Sequence, residues 1–562
     1  MPTTPKRPTY RSLEFVKIDH PMTIRPPALL RRTTFTVDND NRALAITQSS
    51  DNDTIIPRNY YEAISGPNKE RWMAAIEDEL KALKNNATWE IVERPSNAKL
   101  ITTKWVFALK KEFGKIVRYK GRLVARGFDQ RPGVNVWETF APVVSIKTLR
   151  TLLALCVIKS MHMLRFDVTT AFLHGDLQET VYLETPEGVE TPAGHCLRLR
   201  KALYGLRQAP RAWFAKFVDI ISSLGYSQTK SEQCVFTNPS KDTILMLYVD
   251  DGIILSDDAE KSRTLYCDLC KHLPMKEVTG NFLGLEIQYT DKRLSIRKSE
   301  YSEELAKRFK LEQSNTKITS PLVHSKELLL ENKDEETMDD VPYREALGGI
   351  QYLANCCRPD IQFTANFLSR FCNNPKSKHW LAVCRLLKYI NNTKDLAICY
   401  TKQKLVVDIF SDASWAGDER DRHSISGILI TMGGGPIVFE SRRQRCIALS
   451  TAESEYIAAS EAIAEAACIK NLLSELGHQD VSTNLYVDNL AAISQIKSDE
   501  SGKRSKHIDV KLHHIREKYK QREFELHYTK SETQLADLLT KELSGPRIRE
   551  ILERCGIKSI PQ

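Results

Sequence analysis

Thr243-Ile-Leu-Met-Leu-Tyr-Val-Asp250-Asp251-Gly252-Ile-Ile-Leu-Ser256 sets an apolar run, Ile244 to Val249, directly before two acids, then follows them with Gly252 and three more apolar residues. Two short apolar runs around a polar pair predict a buried β-hairpin with carboxylates at its tip. Burial of an unpaired carboxylate is costly, so these acids belong where they stay hydrated or meet a cation. The doublet alone is not diagnostic, because Asp257-Asp258 and Asp339-Asp340 occur in the same chain. Asp339-Asp340 falls in an acidic stretch, the pattern of a solvated loop. Asp257 lies about six residues past the tip, about 20 Å along a strand rising roughly 3.3 Å per residue. Context singles out Asp250 and Asp251.

Two adjacent carboxylates raise each other's pKa unless a cation separates them. Magnesium suits that task, taking carboxylate oxygens together with waters and substrate phosphates. A two-ion site wants a further acid from another strand. Met163-Leu-Arg-Phe-Asp167 supplies one, with Leu164 and Phe166 alternating before Asp167. Taken alone, Asp167 reads equally as a strand-end residue capping the next turn.

Upstream, Trp105, Phe107 and Leu109 alternate, Phe113-Gly114-Lys115 turns, and Val117 and Tyr119 alternate again, predicting a second hairpin. Lys104, Lys110, Lys111, Lys115, Arg118, Lys120, Arg122 and Arg126 crowd into it, against Glu112 alone. Such a run is ordinarily a solvated face. On alternating strands it also suits a clamp for phosphates.

A second series of acids lies downstream. Val406-Val-Asp-Ile-Phe-Ser-Asp412 is an apolar strand ending in an acid, and Tyr486-Val-Asp488 is another. Ser450-Thr-Ala-Glu453 reads as a capping box opening a long helix. That occupies Glu453 and leaves Glu455, about 200° around the axis, free for other work. Gln534-Leu-Ala-Asp537 begins a last helix in this reading. Each of these acids taken singly is more readily structural than catalytic.

With 562 residues, three or four domains are expected. Hydrophobic residues make up 41% and charged residues 27%, as in globular proteins. Net charge is +9, modest but clustered, which points to a phosphate-rich partner. The apolar stretch Leu152 to Ile158 is far short of a bilayer span. Met1 to Tyr10 has no apolar signal core, so membrane insertion and secretion are not expected. Thirteen scattered cysteines do not make a disulfide scaffold. Cys267-Asp-Leu-Cys270 lacks a second pair at finger spacing, and reads as two thiols in a helix rather than as a zinc site.

The series KWVFALKKEFGKIVRYKGRLVARGFDQ, ETFAPVV, FDVTTAFLHGDLQETVYLETPEG, LRKALYGLRQAPRAWF and LYVDDGII resembles, in order and spacing, the reverse transcriptase of copia-type retrotransposons across about residues 70 to 290. YREALGGIQYLANCCRPDIQFTANFLSRF looks like the segment that follows it in such polyproteins. SDASWAGD, ALSTAESEYIAAS, YVDN, KHIDVKLHHIRE and QLADLLTK resemble the RNase H domain of the same elements, across about residues 405 to 543.

The resemblance implies a multidomain α/β and α+β chain. A fingers, palm and thumb-like right hand would be followed by an RNase H-like mixed sheet. It implies that Asp167, Asp250 and Asp251 are catalytic and hold metal, as are Asp412, Glu455, Asp488 and Asp537, with two magnesium ions in each site and manganese as a substitute. Phe172 matches the residue under the incoming sugar that selects deoxynucleotides; ordinary core packing is its bland reading. Gly205 and Gln208 match a loop contacting the template–nucleotide pair. Tyr204-Gly205 departs from the Gln-Gly of retroviral enzymes, which removes a hydrogen bond to the sugar. Lys120 and Arg122 match triphosphate contacts. His527 stands where some relatives carry a mobile histidine, though its neighbours do not match, and His507, His513 and His514 read as a charged helix surface.

The expected activities are copying of an RNA template from a DNA primer with deoxynucleotides, DNA-directed synthesis, and RNase H cleavage of the RNA–DNA hybrid. Two alternatives remain: a catalytically dead nucleic-acid-binding remnant, and a hybrid nuclease whose polymerase half is a scaffold. Expected boundaries are a disordered tail 1–65, fingers and palm 66–290, a thumb or connection-like region 291–404, RNase H 405–543, and a C-terminal tail 544–562. The chain carries no Asp-Ser/Thr-Gly protease motif, no CCHC knuckle and no integrase core pattern. It therefore reads as a processed or truncated piece of a polyprotein. The expected setting is intracellular, in a cytoplasmic particle or the nucleus, and oligomeric state is left open.

Overall fold

The computed structural model describes residues 55–560, apart from 113–114, 291, 310–316, 331–337, 339–340, 418–420 and 499–508. Most of the expected N-terminal tail, the Asp339-Asp340 doublet and His507 thus lie outside the described residues. Among the described residues no helix is long and apolar enough to cross a membrane.

The predicted apolar hairpin is the middle of a six-stranded sheet. Thr243–Tyr248 pairs antiparallel with Asp251–Ser256, which pairs with His162–Val168. Met275–Glu277 flanks that strand on one edge; Val235–Thr237 and Ser227–Gln228 complete the other. Buried residues run almost without break through both central strands, as in a sheet covered on both faces. Helix Ala209–Ser223 lies beside it and buries Trp213, Phe217, Ile220 and Ile221.

The basic segment forms a long hairpin, Thr103–Glu112 with Lys115–Ala125. Its inner face, Trp105, Phe107 and Leu123, packs on Trp72 and Ile76 of helix Lys69–Asn85. Order begins before Pro67, contrary to the expected tail. Tyr60–Ser65 is a helix whose cap Asn59 accepts a hydrogen bond from the Glu62 N–H at 2.9 Å, and Tyr60 faces Trp105. Six residues are too few for a helical period to register in sequence.

The acids of the second series lie on a five-stranded mixed sheet in the order Gly435–Arg443, Ile425–Met432, Val406–Ser414, Ser482–Val487, Glu525–Tyr528. The first three strands are antiparallel neighbours; the last two join in parallel. Helix Thr451–Glu475 crosses this sheet, capped as expected by Ser450, whose hydroxyl accepts from the Glu453 N–H at 3.2 Å. The described chain is a mixed α/β and α+β assembly of several sheets with helices packed on them, the fold class that the resemblance implies.

The C-terminal segment is not a tail. Gly545–Arg554 is a helix that buries Ile548, Ile551 and Leu552. Ile557–Ser559 is the outer strand of an antiparallel sheet with Leu396–Thr401, Arg293–Arg297 and Glu286–Thr290. The segment lacks strong strand periodicity because only three residues pair.

Helix Ile146–Ile158 joins the two halves. Every residue from Thr148 to Ile158 is buried. Its Arg150 guanidinium lies 4.0 Å from the ring centre of Phe439 on the five-stranded sheet and donates to Asn355 O at 3.3 Å. Lys147 bridges Glu440 at 2.5 Å and Glu465 at 2.7 Å. A buried, hydrogen-bonded cation of this kind fixes register between packed layers more than it adds net stability.

Two candidate carboxylate centres

The first centre is built at the hairpin tip. Asp251 stands directly opposite Asp167 in the antiparallel register, so both side chains leave the same face. Asp250 occupies the turn, with its carbonyl accepting from the Val168 N–H at 2.7 Å. Val249 before it has φ +57°, a left-handed conformation that a β-branched residue adopts only under outside constraint. The indole of Trp213 supplies that constraint, donating to Val249 O at 2.6 Å. Gly252 is required beside them: a Cβ there would stand 2.1 Å from the Phe166 ring. Neither Trp213 nor this packing was evident from the sequence, since the helix and hairpin are distant in the chain.

Loss of hydration, then the nearby Asp167 carboxylate, push the Asp250 carboxyl up to about 6, while Arg122 and Lys120 pull it down. Lys276, on the strand beyond Asp167, places its Nζ 2.7 Å from Asp167 Oδ2. Among the described residues this trio does not bring three ligand atoms within 4.8 Å of one another.

Around the trio the predicted nucleotide contacts divide. Lys120 keeps solvent contact, yet dehydration of its ammonium and the neighbouring Arg122 lower it to about 8, against the pull of Asp250 and Asp167. Arg122 does not project as expected: it is 7% exposed and lies over the Tyr204 ring at 4.6 Å. Tyr204 in turn meets Phe172 edge-on at 5.0 Å. Buried Glu79, pushed up to about 7 by burial and pulled down by Arg122, is a partner of this stack missed in the sequence.

Gly205 has φ +91° and abuts the basic hairpin, where a Cβ would stand 2.0 Å from Ala125 O. Its glycine is explained by chain packing. Gln208 is 2% exposed and internally satisfied, accepting from Gln130 Nε2 at 2.8 Å and donating to Asn135 O at 3.0 Å. Buried and bonded to Gln130 and Asn135, that amide has a structural role in tying this loop to the segment after the basic hairpin.

The second centre is tighter. Asp412, Glu455 and Asp488 each offer an oxygen within 4.8 Å of the others. Glu455 Oε1 accepts from the Ala413 N–H at 3.1 Å, while its Oε2 is buried with no hydrogen-bond partner. Asp488 accepts from the Ser531 hydroxyl at 2.8 Å. Burial, then Asp412 and Asp488, push Glu455 up to about 9; burial likewise pushes Asp412 to about 6, with Lys541 opposing. An orphaned buried oxygen among three mutually repelling acids fits a hard divalent cation.

Asp537 is buried nearby but stands outside that group. It belongs to a 3₁₀ turn, Leu535–Leu539, rather than to the start of the expected last helix, and Lys541 Nζ lies 2.7 Å from its Oδ1. His527 is not on a mobile loop: it sits on strand Glu525–Tyr528, stacked at 5.2 Å on Tyr486, which stacks on Phe410. Cys267 and Cys270 are free and exposed on helix Ala259–Cys270.

Residues 86–324 match the family model of the reverse transcriptase (RNA-dependent DNA polymerase). The Pol polyprotein of transposon TNT 1-94 from Nicotiana tabacum is 36% identical over 517 residues, 90% of this chain and 39% of the relative. That of transposon RE1 from Arabidopsis thaliana is 32% identical over 533 residues, 93% of this chain and 36% of the relative. The chain thus spans under two-fifths of the length of these relatives. Among solved structures, a foamy viral protease-reverse transcriptase in complex with double-stranded DNA matches at TM-score 0.45 and 12% identity, covering 82% of this chain and 69% of that one. The chain is related over nine-tenths of its length to the Pol polyproteins of copia-type retrotransposons, and within it residues 86–324 match the reverse transcriptase family.

Proposed function

We propose that this chain copies RNA and DNA templates into DNA and cleaves the RNA strand of the hybrid it makes, with magnesium at both carboxylate centres. The observation that carries the polymerase reading is the register of Asp167 with Asp251 beside Asp250 at a strained, indole-braced tip. Strain held in place by surrounding structure is a mark of a functional site. Asp167, Asp250 and Asp251 would hold the ions, which when bound lower the charge on the reacting phosphate and activate the primer hydroxyl. Lys120, beside both acids, meets the triphosphate, and Phe172, held edge-on by Tyr204, forms the floor under the sugar. Lys276, 2.7 Å from Asp167 Oδ2, balances that carboxylate's charge.

At the second centre Asp412, Glu455 and Asp488 would hold cation, and the orphaned Glu455 oxygen supports that reading. Preference for hybrid would come from the 2′-hydroxyls of the RNA strand.

Primer extension on poly(rA) with oligo(dT), run beside cleavage of a labelled hybrid, tests both halves. Asp250→Asn should lower extension on the order of 10²–10³-fold or more while leaving cleavage intact, and Glu455→Gln should do the reverse. The tighter acid group at the second centre favours one other reading, a hybrid nuclease on a polymerase scaffold. Extension by the wild type that disappears in Asp250→Asn dismisses it; cleavage of the hybrid with no extension under any divalent ion supports it.

A further inference from the structure

The second centre carries its own cations. Lys541 Nζ lies 2.7 Å from Asp537 Oδ1 and 3.7 Å from Asp412 Oδ2, so one ammonium spans two of the four acids. Arg547 Nη2 lies 3.8 Å from the other oxygen of Asp537. Thr540 donates its hydroxyl to the Asp412 oxygen that Lys541 also faces. Both oxygens of Asp537 thus face side-chain cations, and Asp537 stands outside the group formed by Asp412, Glu455 and Asp488. Lys541 Nζ lies between Asp412 and Asp537.

Arg547 is shared with Glu550, whose Oε2 lies 2.8 Å from its Nη1, so Lys541 is the cation that answers Asp412 and Asp537 together. A divalent ion entering beside Lys541 would set two cations side by side in a poorly hydrated place unless the ammonium left, and like charges that close repel strongly. The Lys541 side chain is 44% exposed, so a route to solvent is open to it.

We propose that, in the absence of nucleic acid, this centre takes a single divalent cation on Asp412, Glu455 and Asp488, and that the Lys541 ammonium stands as a resident cation at the second position between Asp412 and Asp537. The proposal deepens the nuclease reading and rests on it for the purpose of the centre, but ion occupancy can be counted without substrate.

The test counts Mn²⁺ bound to the full chain, from the free-ion paramagnetic resonance signal, in an Asp167→Asn/Asp250→Asn background that silences the first centre. The parent should bind one ion. Lys541→Gln should bind one more; Lys541→Arg should match the parent; Lys541→Gln combined with Asp537→Asn should lose the added ion. Thermal melts confirm that each variant is folded, which the exposure of Lys541 favours. A parent that already binds two ions, or a Lys541→Gln variant whose count is unchanged, overturns the proposal. Absence of hybrid cleavage in the wild type would overturn the nuclease reading instead, and leaves the ion count as evidence on this one.

Discussion

At Glu455 a carboxylate is held 3% exposed, with one oxygen on a backbone N–H and the other on nothing. Acids packed within 4.8 Å share protons as a set, so the charge they carry depends on pH and on bound cation together. The Glu455 carboxyl rises from 4.5 in the unfolded chain to about 9 when folded. For an acid shifted upward, the protonated folded form is favoured. Its stabilising contribution is whole below about 4.5 and disappears as pH climbs through about 9. The cation-free protein should therefore be weakened by this residue at pH 8, and Glu455→Gln should melt higher there in chelator, by about 2–4 °C for each kcal/mol relieved. Scanning calorimetry at pH 5 should show the difference shrink, and adding magnesium at pH 8 should raise the wild type but not the variant. Equal melting temperatures at pH 8 in chelator would mean that the site is better hydrated than its burial indicates. Asp250 follows the same sign with a smaller window, between 3.8 and about 6.

The acid-tipped hairpin holds its shape because a helix far away in sequence braces its tip. Strand Thr243–Tyr248 and strand Asp251–Ser256 supply the ladder, but the turn's left-handed Val249 is stabilised by Trp213. Trp213→Phe keeps most of the buried ring and removes the donor, leaving Val249 O without its partner. The expected stability cost is about 1–3 kcal/mol, read from the denaturant midpoint. Because a shift of an ångström at a reacting centre costs up to about 100-fold, extension should fall by roughly 10- to 100-fold while hybrid cleavage holds. Unchanged extension would show that the turn keeps its shape without the indole. The basic hairpin has a comparable dependence: Arg122 leans on Tyr204, Tyr204 on Phe172, and Gly205 allows the backbone of that loop to touch Ala125. The basic hairpin, Tyr204 and Phe172 are thus one packed unit.

At the scale of the whole molecule, the chain end closes the fold. Ile557–Ser559 pairs with Leu396–Thr401, and helix Gly545–Arg554 brings Arg547 to Asp537. A chain ending at Leu543 keeps all seven acids yet loses buried Ile548, Ile551, Leu552 and Ile557, each worth about 1.5–3 kcal/mol. That sum rivals the whole stability of a typical domain, about 5–15 kcal/mol. Limited proteolysis should find the truncated chain cut throughout its C-terminal half, with hybrid cleavage lost; a resistant and active product would return residues 544–562 to the status of a tail. Period-2 alternation made the acid-tipped strands carrying Asp167, Asp251 and Asp412 legible in the sequence, because strand faces and turn chemistry are local properties. Apolar alternation likewise foretold the basic hairpin, and the Ser450 cap foretold the start of the long helix. What only the tertiary structure decided is where side chains meet across the fold. It turned Arg122 and Gln208 inward, withdrew Asp537 to Lys541 and Arg547, braced Val249 with Trp213, and paired the chain end with a strand some 160 residues earlier. Those outcomes depend on contacts between segments distant along the chain, which no local period or propensity encodes.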